Sequence, residues 1–149
     1  MYSDERNIYQ TARKAAGITQ EHGAELLALS VESVRAYESG SRLPSDDVVV
    51  RMMDVYDNQL LGAQHLRSAS ALGRCIIPEL KASDISTAVL KLQKELNDFM
   101  KLRDDVLDIT CDGLIDATES ERWQRVLQEL DEVAQAIMIV KFAKGASDG

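Results

Sequence analysis

The chain has 149 residues, of which 45% are hydrophobic and 28% are charged. These fractions are typical of a folded globular protein and exclude a disordered or low-complexity chain. The longest apolar run, Ala136 to Val140, is far shorter than the roughly 18 residues that cross a bilayer, so we expect no membrane span. Cys75 and Cys111 have no metal-ligand spacing and no secretory signal pattern is present, so we expect a cytoplasmic protein with reduced, partly buried thiols.

The net charge of −8 argues against a protein that coats nucleic acid in general, because sequence-independent affinity for phosphates comes from clustered lysine and arginine. Any DNA binding must therefore be local. His22 and His65 have no nucleophile or carboxylate at a catalytic spacing, and no glycine-rich phosphate loop occurs. We therefore expect neither an enzyme nor a bound cofactor.

The first half of the chain shows a series of helix-start signals and no alternating strand pattern, which predicts an all-α fold. Ser3 and Gly17 are typical of a helix start and a helix end, and they predict a first helix over about 4–16. Further N-caps are expected at Thr19, Ser30 and Ser45, with helix ends near Leu27 and Gly40.

The second half of the chain contains two long apolar patterns that repeat in threes and fours. They predict two helices in 84–149 that form an antiparallel hairpin, suited to dimerisation or effector contact. Residues 61–83 separate them from the first half and are expected to form a linker or a bridging helix. The two patterns are Ile85, Val89, Leu92, Leu96, Phe99, Val106 and Leu107, then Trp123, Val126, Leu127, Leu130, Val133, Ile137 and Val140.

Three motifs in the first half occur without a gap: Gly17-Ile18-Thr19-Gln20-Glu21, Ser30, and Tyr37-Glu38-Ser39-Gly40-Ser41-Arg42-Leu43-Pro44-Ser45. Over residues 6–58 they resemble the XRE family of bacterial and phage helix-turn-helix regulators. The resemblance implies a five-helix, repressor-like DNA-binding domain at 1–60, with a recognition helix over about 30–39 in the major groove. The rest of the chain looks like the helical tails of some prophage-associated members.

The resemblance also implies where DNA contacts lie. Gln20 in the first turn of the second helix would contact the DNA backbone, and Arg42 after Gly40 would contact a phosphate. In the recognition helix, apolar side chains suit a thymine methyl group, and a glutamate suits cytosine N4. The positions facing DNA would be Val31, Glu32, Ser33, Arg35 and Ala36.

Arg13 and Glu38 have a structural role in the same resemblance, as an ion pair between the first helix and the end of the recognition helix. Two positions depart from the family pattern. Gly23 replaces a core residue such as leucine, and Ala28 replaces the glycine of the turn. A positive φ would strain Ala28 because its Cβ disfavours that region.

Charge predicts that one copy binds DNA weakly. Residues 1–60 contain six basic and ten acidic residues, a net of −4. A homodimer would double the phosphate contacts and place two recognition helices on half-sites of a double-stranded operator.

A twelve-residue stretch, Asp108 to Glu119, resembles a calcium-binding EF-hand loop. Thr110 stands where a carboxylate or amide is expected. The alternative is a helix-ending turn at Gly113 followed by a capping box of Asp116 and Glu119, and we favour this turn over a metal site. The ligands of a calcium loop would be Asp108, Thr110, Asp112, Leu114 and Glu119.

The leading hypothesis from the sequence is a sequence-specific DNA-binding transcriptional regulator. The alternative is a protein-binding adaptor, antirepressor-like or antitoxin-like, that keeps the fold without strong DNA affinity and contacts its partner through the C-terminal helices. A second alternative is a calcium-responsive regulator that uses the 108–119 loop.

Overall fold

The computed structural model describes residues 7–144 and shows the expected all-α fold. Within this range there are nine helices and no strand, and the chain divides into an N-terminal unit, Met1–Glu79, and a C-terminal unit, Leu80–Gly149. The N-terminal unit holds α1 (Ile8–Ala15), α2 (Gln20–Leu27), α3 (Val31–Glu38), α4 (Asp46–Val55), α5 (Leu60–Ala69) and α6 (Ala71–Ile76). The C-terminal unit holds α7 (Ile85–Met100), α8 (Arg103–Thr110) and α9 (Ser120–Phe142).

Helix α1 begins at Ile8 and ends at Ala15. Asn7 has an extended backbone, and its side-chain oxygen accepts hydrogen bonds from the backbone N–H groups of Tyr9 at 3.0 Å and Gln10 at 3.1 Å. Asn7 is therefore the N-cap. The start predicted at Ser3 lies outside the described residues.

The next two helices begin at the predicted capping residues. Thr19 accepts a hydrogen bond from the His22 N–H at 3.2 Å, and Ser30 accepts one from the Ser33 N–H at 3.1 Å. These bonds satisfy N–H groups that a helix start leaves without an intrahelical partner. Ser45 occupies the N-cap position of α4, but its side chain makes no capping hydrogen bond.

Short helices such as these depend on tertiary packing, because isolated helices below about 12 residues are marginal in water. In the N-terminal unit α2 packs on α3 and α4, and α1 packs on α3 and α5. Together they enclose one hydrophobic core. It consists of Tyr9, Ala12, Leu27, Tyr37, Val48, Val49, Met52, Tyr56 and Leu61.

The segment 61–83, predicted as a linker or bridging helix, is largely helical and begins in this core. Leu61 on α5 is fully buried, and α5 packs on α1 and α4. The chain turns at Ser70, and α6 then packs against α5. Gly73 is at the contact, where an added Cβ would collide with the Leu66 carbonyl group. The structure therefore extends the N-terminal unit to Glu79.

In the C-terminal unit α7 and α9 form the expected antiparallel hairpin. The start of α7 lies beside the end of α9, where Asp84 bridges to Lys144. At the other end, Arg122 near the start of α9 donates to Asp105 on α8 at 2.6 Å. The first long helix, predicted through Leu107, is interrupted at residues 101–102, and the chain restarts as α8.

Two further expectations concern the burial of the cysteines and membrane-spanning helices. Cys75 and Cys111 are exposed, so the prediction of partly buried thiols is wrong. In the described range 7–144, no helix combines the length and the apolar character that a membrane span requires.

Candidate nucleic-acid interface

The turn between α2 and α3 sets the orientation of the predicted recognition helix. Ala28 ends α2 with φ 55° and ψ 47°, in the left-handed region, and its N–H bonds to the carbonyl groups of Ala24 and Glu25. Leu29 then donates to the Ala24 carbonyl at 2.9 Å, and Ser30 caps α3. An alanine therefore holds the conformation that usually requires glycine at a helix end.

Helix α3 buries one side and presents the other to solvent. Val34 and Tyr37 are buried in the N-terminal unit. At about 100° per residue, Glu32 and Ala36 lie on the side away from this core, and Glu32 is exposed while Ala36 is half-buried. Val31 and Ser33 flank them and are also half-buried. Glu32 and Ala36 thus occupy the outer part of α3, whereas Val31 and Ser33 lie at the edges of its buried side.

Arg13 and Glu38 fix α1 against the end of α3. The Arg13 guanidinium donates to both Glu38 carboxylate oxygens, at 2.6 and 2.9 Å, and to the Ile18 carbonyl at 2.6 Å. Both side chains are almost completely buried. Burial favours the neutral form of Glu38, but hydrogen bonds from Arg13 and Gln20 and the Arg13 charge outweigh it, so the Glu38 pKa lies below its usual 4.5.

Gln20 and Arg35, both assigned to DNA by resemblance, bond to each other and to acidic groups. Gln20 Nε2 donates to Glu38 Oε2 at 2.9 Å, and Arg35 Nε donates to Gln20 Oε1 at 3.4 Å. Arg35 also donates to Glu21 at 3.4 Å. The sequence alone does not reveal this network, because its members are 14 to 18 residues apart.

Arg42 is positioned beside α3 by the turn that follows it. Its backbone N–H donates to the Ala36 carbonyl at 3.1 Å, and its guanidinium lies 4.8 Å from the centre of the Tyr37 ring. Arg42 is exposed and forms no ion pair with a carboxylate among the residues that the structure describes. The Tyr37 ring thus holds the Arg42 guanidinium by a cation–π contact and leaves its charge available to an anion.

Comparison with known proteins assigns this part of the chain. Residues 10–66 match the family model of a helix-turn-helix domain. Residues 10–66, from α1 to α5, are therefore a helix-turn-helix domain within the N-terminal unit. No curated protein and no solved structure matches the chain.

Gly23 in the helix-turn-helix domain is explained by a neighbour that the sequence did not indicate. A Cβ at Gly23 would lie 3.2 Å from the Tyr56 hydroxyl oxygen and 3.4 Å from Arg13 Cδ. Tyr56 and the Arg13 stem thus fill the space that a larger residue would take. Burial, and then the Glu38 charge, raise the pKa of Tyr56 to about 12.

His65, which has no nucleophile or carboxylate at a catalytic spacing in the sequence, connects three helices of the helix-turn-helix domain. It is 3% exposed, with Nδ1 2.7 Å from the Tyr9 hydroxyl and Nε2 3.1 Å from Asp46 Oδ1. With a proton on Nε2, the ring donates to Asp46 and its Nδ1 accepts from the Tyr9 hydroxyl. The residue therefore joins α5 to α1 and α4, which periodicity within one helix does not predict.

Outside the helix-turn-helix domain, the 108–119 loop has the contacts of a turn. Glu119 accepts from the Asp116 N–H at 3.1 Å, and Asp116 accepts from the Glu119 N–H at 3.0 Å, which is a reciprocal capping box. Asp108 pairs with Arg122 at 3.0 Å, and Gly113 has φ 76°.

The remaining loop ligands also bond locally. Thr110 donates to the Val106 carbonyl at 2.7 Å, and Asp112 accepts from the Leu114 N–H at 2.9 Å. Among the described residues, ligand atoms meet within 4.8 Å in a different group, Glu95, Asp98 and Glu129, which contains no loop residue.

Proposed function

We propose that the protein is a sequence-specific DNA-binding transcriptional regulator of the XRE type, encoded by a bacterium or its prophage and acting in the cytoplasm. The observation that supports this most strongly is the geometry of α3. Its start is capped by Ser30, its inner side is fixed by Arg13 and Glu38, and its outer side presents Glu32 and Ala36. A helix held in this way and exposed along one side suits insertion in the major groove.

In this proposal the residues have distinct roles. Val31 and Ala36 contact thymine methyl groups, Glu32 accepts from cytosine, and Ser33 bonds to a base or a phosphate. Arg42 contacts a phosphate, while Gln20 and Arg35 approach the DNA backbone. The acidic N-terminal unit has eight basic and eleven acidic residues, a net of −3, so a homodimer on an operator with two half-sites supplies the affinity that one copy lacks.

The experiment that tests this proposal is selection of bound duplexes from a random-sequence DNA library by the full chain. We expect enrichment of a motif with two half-sites about 10 base pairs apart, one helical turn. An Ala36→Glu variant places a negative charge on the outer side of α3 and should enrich nothing. Ala16→Glu is the matched control, at an exposed position after α1. If the native chain enriches no sequence, the proposal is wrong.

A protein-binding adaptor, antirepressor-like or antitoxin-like, is the second candidate, and one observation favours it. Gln20 and Arg35, two of the proposed backbone contacts, already bond to Glu38 and Glu21. An adaptor would show no salt-dependent affinity for any duplex, whereas the regulator loses affinity steeply as salt rises. Titration of the selected duplex at several salt concentrations separates the two.

A further inference from the structure

Helix α7 has all of its charges on one side. At about 100° per residue, Lys91, Lys94, Glu95 and Asp98 fall within an arc of roughly 100°. The rest of its circumference bears no charge, in a chain in which 28% of residues are charged. The uncharged remainder is of two kinds: one part is polar and exposed, with Ser86, Gln93 and Asn97, and the other is an apolar stripe.

The two helices of the hairpin share one apolar surface, which we call the hairpin face: Ile85, Val89 and Leu96 of α7 and Leu127, Leu130 and Ile137 of α9. All six side chains are 37–43% exposed. Large apolar side chains that cluster at this exposure are typical of interaction surfaces, whereas single ones are ordinary.

Helical geometry places both halves of the hairpin face on the same side. Ala88 and Glu95 are buried on α7, and Val126 and Val133 are buried on α9. Viewed from each helix's own N-terminus, the hairpin-face residues of that helix lie about a quarter turn clockwise from its buried residues. Because α7 and α9 are antiparallel, the two quarter turns lead to the same side of the hairpin.

The packing between α7 and α9 is narrow. Its buried residues include two alanines, Ala88 and Ala136, and a carboxylate, Glu95. Small residues bring two helices close but bury little apolar area, at about 25 cal/mol for each Å². Val126, Val133 and Ile139 complete the buried side of α9, and the larger side chains of the hairpin face keep 37–43% of their surface exposed, which a partner on that face would bury.

We propose that the hairpin face binds the same face of a second copy of this chain, forming a four-helix bundle about a two-fold axis. The six residues span about 17 Å along the helices and two helices in width, on the order of 350 Å² in projection, which interdigitation raises toward the low end of specific interfaces, below about 600 Å² per partner. A two-fold axis makes each patch its own partner, and the six apolar side chains carry no charge that would repel their symmetry copies, while Lys141 lies beyond Ile137 at the end of the patch. The same property disfavours nucleic acid as the occupant.

The test is sedimentation equilibrium of the full chain without DNA, from about 1 to 100 µM. We expect twice the 16.5 kDa chain mass at the upper end of this range. A Leu96→Glu/Leu130→Glu variant buries four charges in the symmetric interface and should weaken association more than about 100-fold. Leu114→Glu is the matched control, because Leu114 is 71% exposed in the loop before α9, and it should leave the mass unchanged.

A second measurement separates loss of the interface from loss of folding. Trp123, the single tryptophan, is half-buried at one end of the hairpin face, so its emission should shift to longer wavelength as the native chain is diluted below its dissociation constant. The double variant should keep native helicity and show the dilute emission at every concentration. If the native chain is monomeric throughout, or if the double variant associates normally, the proposal is wrong. Neither result depends on DNA binding.

Discussion

Arg13 on α1 and Glu38 on α3 are 25 residues apart in sequence and are joined by two hydrogen bonds, 2.6 and 2.9 Å long. The pair is buried, so its charges interact strongly but have also lost most of their hydration. The cost of breaking one side is therefore larger than the net contribution of the intact pair. This relationship determines how α1 meets α3.

Replacing Glu38 alone should destabilise the N-terminal unit strongly. Glu38→Ala leaves the Arg13 guanidinium buried without its counter-ion, and we expect a loss of about 3–5 kcal/mol. The double variant Arg13→Met/Glu38→Leu removes both charges and should lose less than the single variant. Urea unfolding followed by circular dichroism measures both. The exposed pair of Arg35 and Glu21 is the control, because Glu21→Ala should cost below about 1 kcal/mol.

The same carboxylate predicts a pH dependence. The Glu38 pKa is lower in the folded chain than its usual 4.5, so its ionised form stabilises the fold above that pH. This contribution declines as pH falls below about 4.5 and through the lower folded pKa. The difference in free energy of unfolding between the native chain and Glu38→Gln should therefore become smaller from about pH 5 to about pH 3, the range in which carboxylates titrate. A constant difference across this range would contradict the assignment.

The sequence predicted the elements whose signals are local. Thr19 and Ser30 were identified as the caps of α2 and α3 because each side-chain oxygen accepts from an N–H only three residues later. Gly17 was identified as a turn because glycine permits the positive φ, 71°, that the backbone has there. Local signals do not specify tertiary packing, so the position of Leu61 in the core was not predicted. The interruption at residues 101–102 has no glycine or proline to mark it.

In the candidate site, the sequence predicted positions but not their partners. The resemblance placed Gln20 and Arg35 at the DNA, while the structure shows them bonded to Glu38 and Glu21. The contact between Tyr56 and Gly23 joins different helices, and a single sequence offers no signal for such pairs. In the sequence, Gly23 indicated only that this position departs from the core residue of the family pattern.

Ala28 should be improved by the substitution that its backbone favours. Its φ of 55° costs a residue with a Cβ about 1–2 kcal/mol relative to glycine. Glycine also increases the entropy of the unfolded chain, which offsets about 0.4–1 kcal/mol of this gain. We therefore expect Ala28→Gly to raise the free energy of unfolding by about 0.8 kcal/mol. Ala16→Gly is the control, since Ala16 has φ −78° and should gain nothing.

Calcium should not stabilise the protein. Asp108 and Glu119, two carboxylates of the candidate loop, are engaged by Arg122 and by the Asp116 N–H. We expect the Tm to stay unchanged when calcium is added to about 1 mM, because a ligand that binds only the folded state would raise it. Magnesium at the same concentration controls for ionic strength. A rise specific to calcium would restore the calcium-responsive alternative.

Two substitutions should separate the proposed phosphate contact from the proposed base contact. Arg42→Ala removes the charge beside α3 and should weaken binding to all duplexes about equally, lowering the salt-dependence slope by about 1 for each protomer. Glu32→Ala lies on the outer side of α3 and should change which sequences are selected, because a carboxylate accepts from cytosine N4. Fluorescence anisotropy with selected and scrambled duplexes at several salt concentrations measures both effects. Arg51→Ala, at an exposed position of α4, is the control for a simple loss of charge. If Arg42→Ala and Arg51→Ala weaken binding equally, the attraction is general and Arg42 has no specific place at the DNA.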